Sequence, residues 1–276
     1  MKGGSSNMHY FPQILFKVNN KYFSIEWNSK ESVRMATVIN YQLSMFGKFS
    51  ISPTPETIST LMPKINERTK QVFLPNLISS QQIEIPSNRV TAISNLGFVT
   101  QDQKYNISIL NERIDVTYNK PSDVDVSMDD FYELAIEAFT ALFDNSNAVS
   151  NRLALNIQEV CEMESFDKMK SKGKELLKAA AFYEGKPLAE WSMRTNSQEN
   201  IQLNEADELV NYITEVTSAQ DMTGQKAAVL FHIDINTVPK NANIRFDVSA
   251  LKQFVQTVTP VAQRIANDVE RLISGD

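Results

Sequence analysis

Two stretches of this chain follow one plan. Ile114-Asp115-Val116-Thr117 leads through Asp125-Val126-Ser127 into a helical pattern carrying Phe131; Ile233-Asp234-Ile235-Asn236 leads through Asp247-Val248-Ser249 into one carrying Phe254. In each, apolar and polar residues first alternate as on a half-buried strand, and the period then lengthens to that of an amphipathic helix capped by Ser. A helix with a single apolar stripe needs a sheet to cover it. The expected fold is therefore α+β, in two similar halves, each an antiparallel sheet with a long helix packed on one face. Residues 1–33 form a tail and hairpin, 34–147 the first half and 148–276 the second.

Other elements follow from local pattern. Ile14 to Val18 and Tyr22 to Trp27 flank Asn19-Asn20-Lys21, which suits a tight hairpin turn. From Met35 to Phe46 polar and apolar residues alternate, predicting a strand, although Val33, Ala36, Ile39, Leu43 and Phe46 also fit a helix. Thr54 or Thr57 caps a helix through Ile58, Leu61, Met62 and Ile65, which Pro63 is expected to kink or shorten. Arg89 to Thr100, Lys104 to Leu110 and Arg113 to Asn119 form a three-stranded meander. After the first long helix come a strand at Arg152 to Cys161, a Lys-rich helix at Phe166 to Phe182, and strands at Leu188 to Thr195 and Ala227 to Asn236. A last helix runs from Leu251 to Leu272, and Pro260 bends it around the sheet.

In this order the elements resemble a sporadically distributed family of uncharacterised bacterial proteins. The resemblance spans Arg34 to Ile273 and rests on Gly97-Phe98-Val99-Thr100, Ile107-Ser108-Ile109, Arg113-Ile114-Asp115-Val116, Asn151-Arg152-Leu153-Ala154-Leu155-Asn156 and His232-Ile233-Asp234-Ile235. The halves of that family are similar in layout to the SecB export chaperone, in which a sheet backs onto a long helix and the surface holds unfolded polypeptide. The resemblance brings no functional residues with it.

No catalytic constellation stands out. Asp123, Asp125, Ser127 and Asp129 mimic the first half of a calcium loop, but Met128 takes the place of the required Gly and Leu134 that of the bidentate Glu. Ser127 then reads as a helix cap, with Asp129 and Asp130 favoured by the helix dipole. His232 and Asp234 share a strand face about 7 Å apart, too far for a direct bond. Cys161, the single cysteine, reads as packing rather than nucleophile. With 27 Lys and Arg against 33 Asp and Glu, the net charge of −6 opposes a polyanion partner. The one basic run, Lys168 to Lys178, reads as a solvated helix face.

Apolar surface is the remaining route to function. Phe16, Tyr22, Phe23 and Trp27 crowd the N-terminal hairpin and are the candidate partner contacts, since aromatic anchors dominate interfaces. The expectation is a non-enzymatic cytoplasmic protein without cofactor or metal. It engages a polypeptide, chaperone-like or antitoxin-like, and forms a homo-oligomer because sheet edges must be paired or guarded. A structural subunit of a defence or phage assembly is the alternative, with an enzyme third.

Overall fold

A computed structural model describes residues 13–18, 21–26, 36–84, 89–120, 126–143, 149–177, 186, 188–221 and 224–274. Among the described residues the molecule is α+β, with a nine-stranded antiparallel sheet, a separate two-stranded hairpin and four helices. In chain order the elements are β1 (Gln13–Val18), β2 (Lys21–Glu26), β3 (Thr37–Phe46), α1 (Pro55–Thr69), β4 (Phe73–Glu84), β5 (Arg89–Thr100), β6 (Tyr105–Ile109) and β7 (Arg113–Asn119). They continue with α2 (Met128–Phe143), β8 (Arg152–Met163), α3 (Phe166–Leu177), β9 (Ser192–Leu203), β10 (Ala206–Gln220), β11 (Ala227–Thr237) and α4 (Val248–Ser274). No described helix is long and apolar enough to cross a membrane.

The sheet runs β4-β5-β6-β7-β3-β8-β11-β10-β9. β3 and β8 pair at its centre, with Leu43 opposite Leu155. Because successive strand residues point to opposite faces, Tyr41, Leu43 and Met45 share a face with Ile114, Val116, Leu153, Leu155, Ile157, Ile233 and Ile235. These residues are buried in one core with Phe131, Phe139, Leu251 and Phe254 from α2 and α4. Rings meet where α2 crosses the sheet: Tyr41 stacks on Tyr118 at 5.7 Å and on Phe131 at 5.4 Å. Burial of such side chains, roughly 1.5–3 kcal/mol each, is the main attraction between helix and sheet.

Helix ends follow their cap chemistry. Thr54 Oγ1 accepts from the Thr57 amide and Pro55 opens α1. Ser127 Oγ accepts from the Asp130 amide, as expected for α2. α4 differs from its expected counterpart: its cap is Asp247, whose carboxylate accepts from the Ala250 amide, and Ser249 lies inside the helix. Pro63 does not shorten α1, which continues to Thr69. The carbonyl that loses its donor belongs to Ser59, an exposed residue, where a missing N–H costs least.

Two strands lie outside the expected set, β4 and β10, and β9 runs to Leu203 rather than ending at Thr195. The β9–β10 turn is a two-residue loop with Asn204 and Glu205 both at positive φ, 49° and 65°, the twist that suits a tight hairpin.

Candidate functional site

The opposite face of the sheet is lined by polar side chains placed by the strand register. Three rows cross its centre. Arg113, Phe46 and Arg152 stand side by side on β7, β3 and β8. The next row runs Asp115, Ser44, Ala154, Asn236, Asn211 and Gln198 across six strands. The third holds Thr117, Gln42, Asn156 and Asp234.

These residues bond both along and between strands. Gln42 Nε2 donates to Ser44 Oγ at 3.0 Å, and Ser44 Oγ donates to Asp115 Oδ1 at 2.6 Å. Gln198 Nε2 donates to Asn211 Oδ1 at 2.8 Å, Asn211 Nδ2 to Asn236 Oδ1 at 3.1 Å, and Asn236 Nδ2 to Asp234 Oδ1 at 2.9 Å. His232 Nε2 meets Asn156 Oδ1 at 2.9 Å. Among the described residues, none of these bonds reaches a helix.

Asp115 is the buried charge of this face. Burial raises its carboxyl above the ordinary value, opposed by the Ser44 hydroxyl and the nearby Arg113. Arg113 Nε lies 2.8 Å from Asp115 Oδ2, an ion-pair contact without the alignment of a hydrogen bond. The guanidinium carbons of Arg113 and Arg152 lie 5.7 and 4.6 Å from the Phe46 ring centre, so one ring is shared by two cations. Desolvation lowers the Arg152 pKa, and Asp234 acts against that shift.

The core face has its own anomaly. Glu159 on β8 points among apolar residues and is buried. Burial first, then repulsion from Glu270 on α4, pushes its carboxyl up to about 7. Glu270 also accepts from the Ala36 amide at the start of β3. Cys161, two residues along β8, is buried and pushed up to about 12 by the same desolvation and the two glutamates. A thiol held neutral in this way is packing rather than a nucleophile.

The residues singled out by sequence fare unevenly. Phe16, Tyr22 and Phe23 lie on the β1–β2 hairpin, Phe16 paired with Phe23 and Tyr22 with Lys17; their side chains, and all of Trp27, lie outside the described residues. Asp123 and Asp125 lie outside them too. Asp129 and Asp130 stand in the first turn of α2. His232 and Asp234 share a face as expected, and the bonds that hold them run to Asn156 and Asn236. On α3, Lys168 pairs with Glu164 and Lys172 with Glu175.

Sequence reasoning missed the Arg113–Phe46–Arg152 row and the Glu159–Glu270 pair. An Arg beside an Asp at i+2 was visible in Arg113 and Asp115, but the register that sets Phe46 between two arginines was not. Among the described residues, no group of three or more His, Cys, Asp or Glu is placed to hold a metal ion. Compared with known proteins, the chain matches no family model, no curated protein and no solved structure.

Proposed function

We propose that the chain is a non-catalytic polypeptide-binding module of the cytoplasm, chaperone-like or antitoxin-like, that engages its partner through the polar sheet face. The observation that carries this reading is the strand-to-strand network around Ser44, Asp115, Asn156 and Asn236. Its amides, hydroxyls and carboxylates hold one another in fixed geometry. Ser44, Asp115, Asn211 and Asn236 are buried within it, and the half-exposed Gln42, Phe46, Arg152 and Asn156 beside them are the groups it offers to another chain. Asp115 and His232, the groups best suited to chemistry, are tied into these bonds.

We also infer that the two strand-then-helix halves share one plan, each a sheet with a long helix on one face, in the SecB-like layout that the sequence resembles. Register supports this. Met45 faces Ile114 and Ser44 faces Asp115 in the first half; Ile157 faces Ile233 and Asn156 faces Asp234 in the second. Across the central seam Tyr41 faces Ile157 and Met45 faces Leu153. With Met45 equivalent to Ile157, Tyr41 is equivalent to Leu153, so these two pairs exchange under a two-fold axis through Leu43 and Leu155.

The test is affinity capture from host lysate with wild type, with Gln42→Lys and Asn156→Lys on the half-exposed centre of the face, and with residues 1–30 deleted. A partner lost on the two lysine substitutions supports the reading. A partner retained by both and lost with the deletion moves the contact to Phe16, Tyr22, Phe23 and Trp27. Capture of nothing but a turned-over small molecule overturns it.

A further inference from the structure

β4 is an edge strand whose free side is closed at one end and open at the other. In an antiparallel strand a residue's N–H and C=O point to the same side, and the side alternates along the chain. The Asn66 side chain of α1 takes both main-chain groups of Phe73: Phe73 N donates to Asn66 Oδ1 at 2.9 Å and Asn66 Nδ2 donates to Phe73 O at 3.4 Å. Phe73 therefore faces away from β5, and so do Pro75, Leu77, Ser79, Gln81 and Ile83. Pro75 has no N–H to offer, a common guard of a sheet edge. From Leu77 onward neither guard operates, and among the described residues β4 has no neighbour but β5.

The open stretch also stands clear of the sheet. β6 pairs with β5 only from Leu96 to Val99, so among the described residues no other strand lies beside Ile78–Glu84 and Arg89–Asn95 than these two segments themselves. A two-stranded ribbon is marginal in water unless something adds to it. Apolar side chains are exposed beside it: Val72 is 68% exposed, Leu74 47% and Leu77 63%.

We propose that this edge pairs with the β4 edge of a second copy, forming a two-fold dimer whose sheet continues from one chain into the other. The bounds of the open stretch fix the register. It begins after Pro75 and ends with β4 at Glu84, so its midpoint is Ser80. Antiparallel pairing about Ser80 sets Asn76 opposite Glu84, Leu77 opposite Ile83, Ser79 opposite Gln81 and Ser80 opposite itself. Outward-facing residues then meet outward-facing residues, as a two-fold axis across a sheet edge requires. Within each chain Leu77 already faces Leu96 and Ile83 faces Val90. The joint thus gives Leu96, Leu77, Ile83 and Val90 successive register positions across four strands on each side of the axis. No like charges come opposite one another. Isologous two-fold pairing is also the commonest form of self-assembly.

The test uses the full chain. Ser80→Cys places two thiols at the axis in a pair that exchanges no hydrogen bonds, where α-carbons stand about 4.5 Å apart, within disulfide range. Mild oxidation is expected to cross-link it to twice the 31.2 kDa chain mass, while the native Cys161, being buried, stays reduced. Asn76→Cys and Glu84→Cys are expected to cross-link when mixed and not alone. Ser79→Pro removes an outward N–H, as Pro75 already does, leaves the β5 ladder intact, and is expected to convert the dimer to monomer by light scattering. A wild-type monomer at micromolar concentration overturns the proposal. So does a dimer whose Ser80→Cys form resists cross-linking, or a monomer that loses a bound foreign polypeptide on Ser79→Pro. The cross-link reads the register even if Ser79→Pro fails to fold. None of these outcomes bears on the polar face.

Discussion

The indole of Trp191 fills the space where Gly173 would carry a side chain: a β-carbon there would stand 2.4 Å from Cδ1 and 2.5 Å from Nε1. The indole N–H donates to the Met169 carbonyl at 3.2 Å, one turn earlier on α3. Gly173→Ala gains up to about 1 kcal/mol of helix propensity, but it overpacks a site where such clashes cost roughly 1–3 kcal/mol. A net loss of about 1–2 kcal/mol in urea denaturation is expected, with a shift in Trp fluorescence. Unchanged or higher stability would show that the indole yields without cost.

Phe131 and Phe254 are both fully buried, on α2 and α4. Truncating either to Ala is expected to cost about 3–5 kcal/mol, the usual range for a buried aromatic. Thermal melting is the readout, and a variant that keeps the wild-type midpoint would refute the packing described for its helix.

Glu159 makes stability depend on pH. Its folded pKa of about 7 lies above the ordinary carboxyl value of 4.5, so between these values the folded state binds the proton and the unfolded state does not. Stability is then fully present below about pH 4.5, falls as pH rises toward 7, and levels off above. The whole step is about 3 kcal/mol, from roughly 1.4 kcal/mol per pKa unit. Glu159→Gln is expected to flatten the wild-type slope between pH 5 and 7.5 and to be the more stable form at pH 8. An equal slope in both proteins would place the titration elsewhere.

Arg245 ties the segment before α4 to the sheet. Its Nε and Nη2 donate to Glu208 at 2.6 and 2.9 Å, and its Nη1 lies 2.6 to 3.1 Å from the carbonyls of Asn151, Asn241 and Asn243. Both partners of the ion pair are largely buried. Arg245→Ala leaves Glu208 without its cation and is expected to cost about 3–5 kcal/mol. Arg245→Lys recovers only part of that, because a single ammonium cannot match the planar fork. Limited proteolysis should cut first between residues 238 and 246; equal resistance in wild type and both variants would count against this role.

What the sequence made legible was whatever one face of one element could report. β3 was readable because Asn40, Gln42 and Ser44 alternate with Ile39, Tyr41 and Leu43, and α2 and α4 because their stripes keep helical spacing. β10 was not, because Val210, Ile213 and Val216 fall at helical intervals although the segment is a strand. β4 was hidden by Pro75 and by apolar residues on both sides of an edge, where alternation is not enforced. The polar face depends on which strands become neighbours, so Ser44 and Asp115, 71 residues apart, gave no local sign of meeting.

The pairing of β3 with β8 sets an order on the chain's birth. β3, α1, β4 to β7 and α2 are all synthesised before Arg152 leaves the ribosome, and until then one side of β3 has no strand beside it. Its backbone groups stand open for as long as translation takes to supply β8. A pause between Phe143 and Arg152 prolongs that exposure, and slow codons there would raise the yield of aggregated chain without changing a single residue of the finished protein.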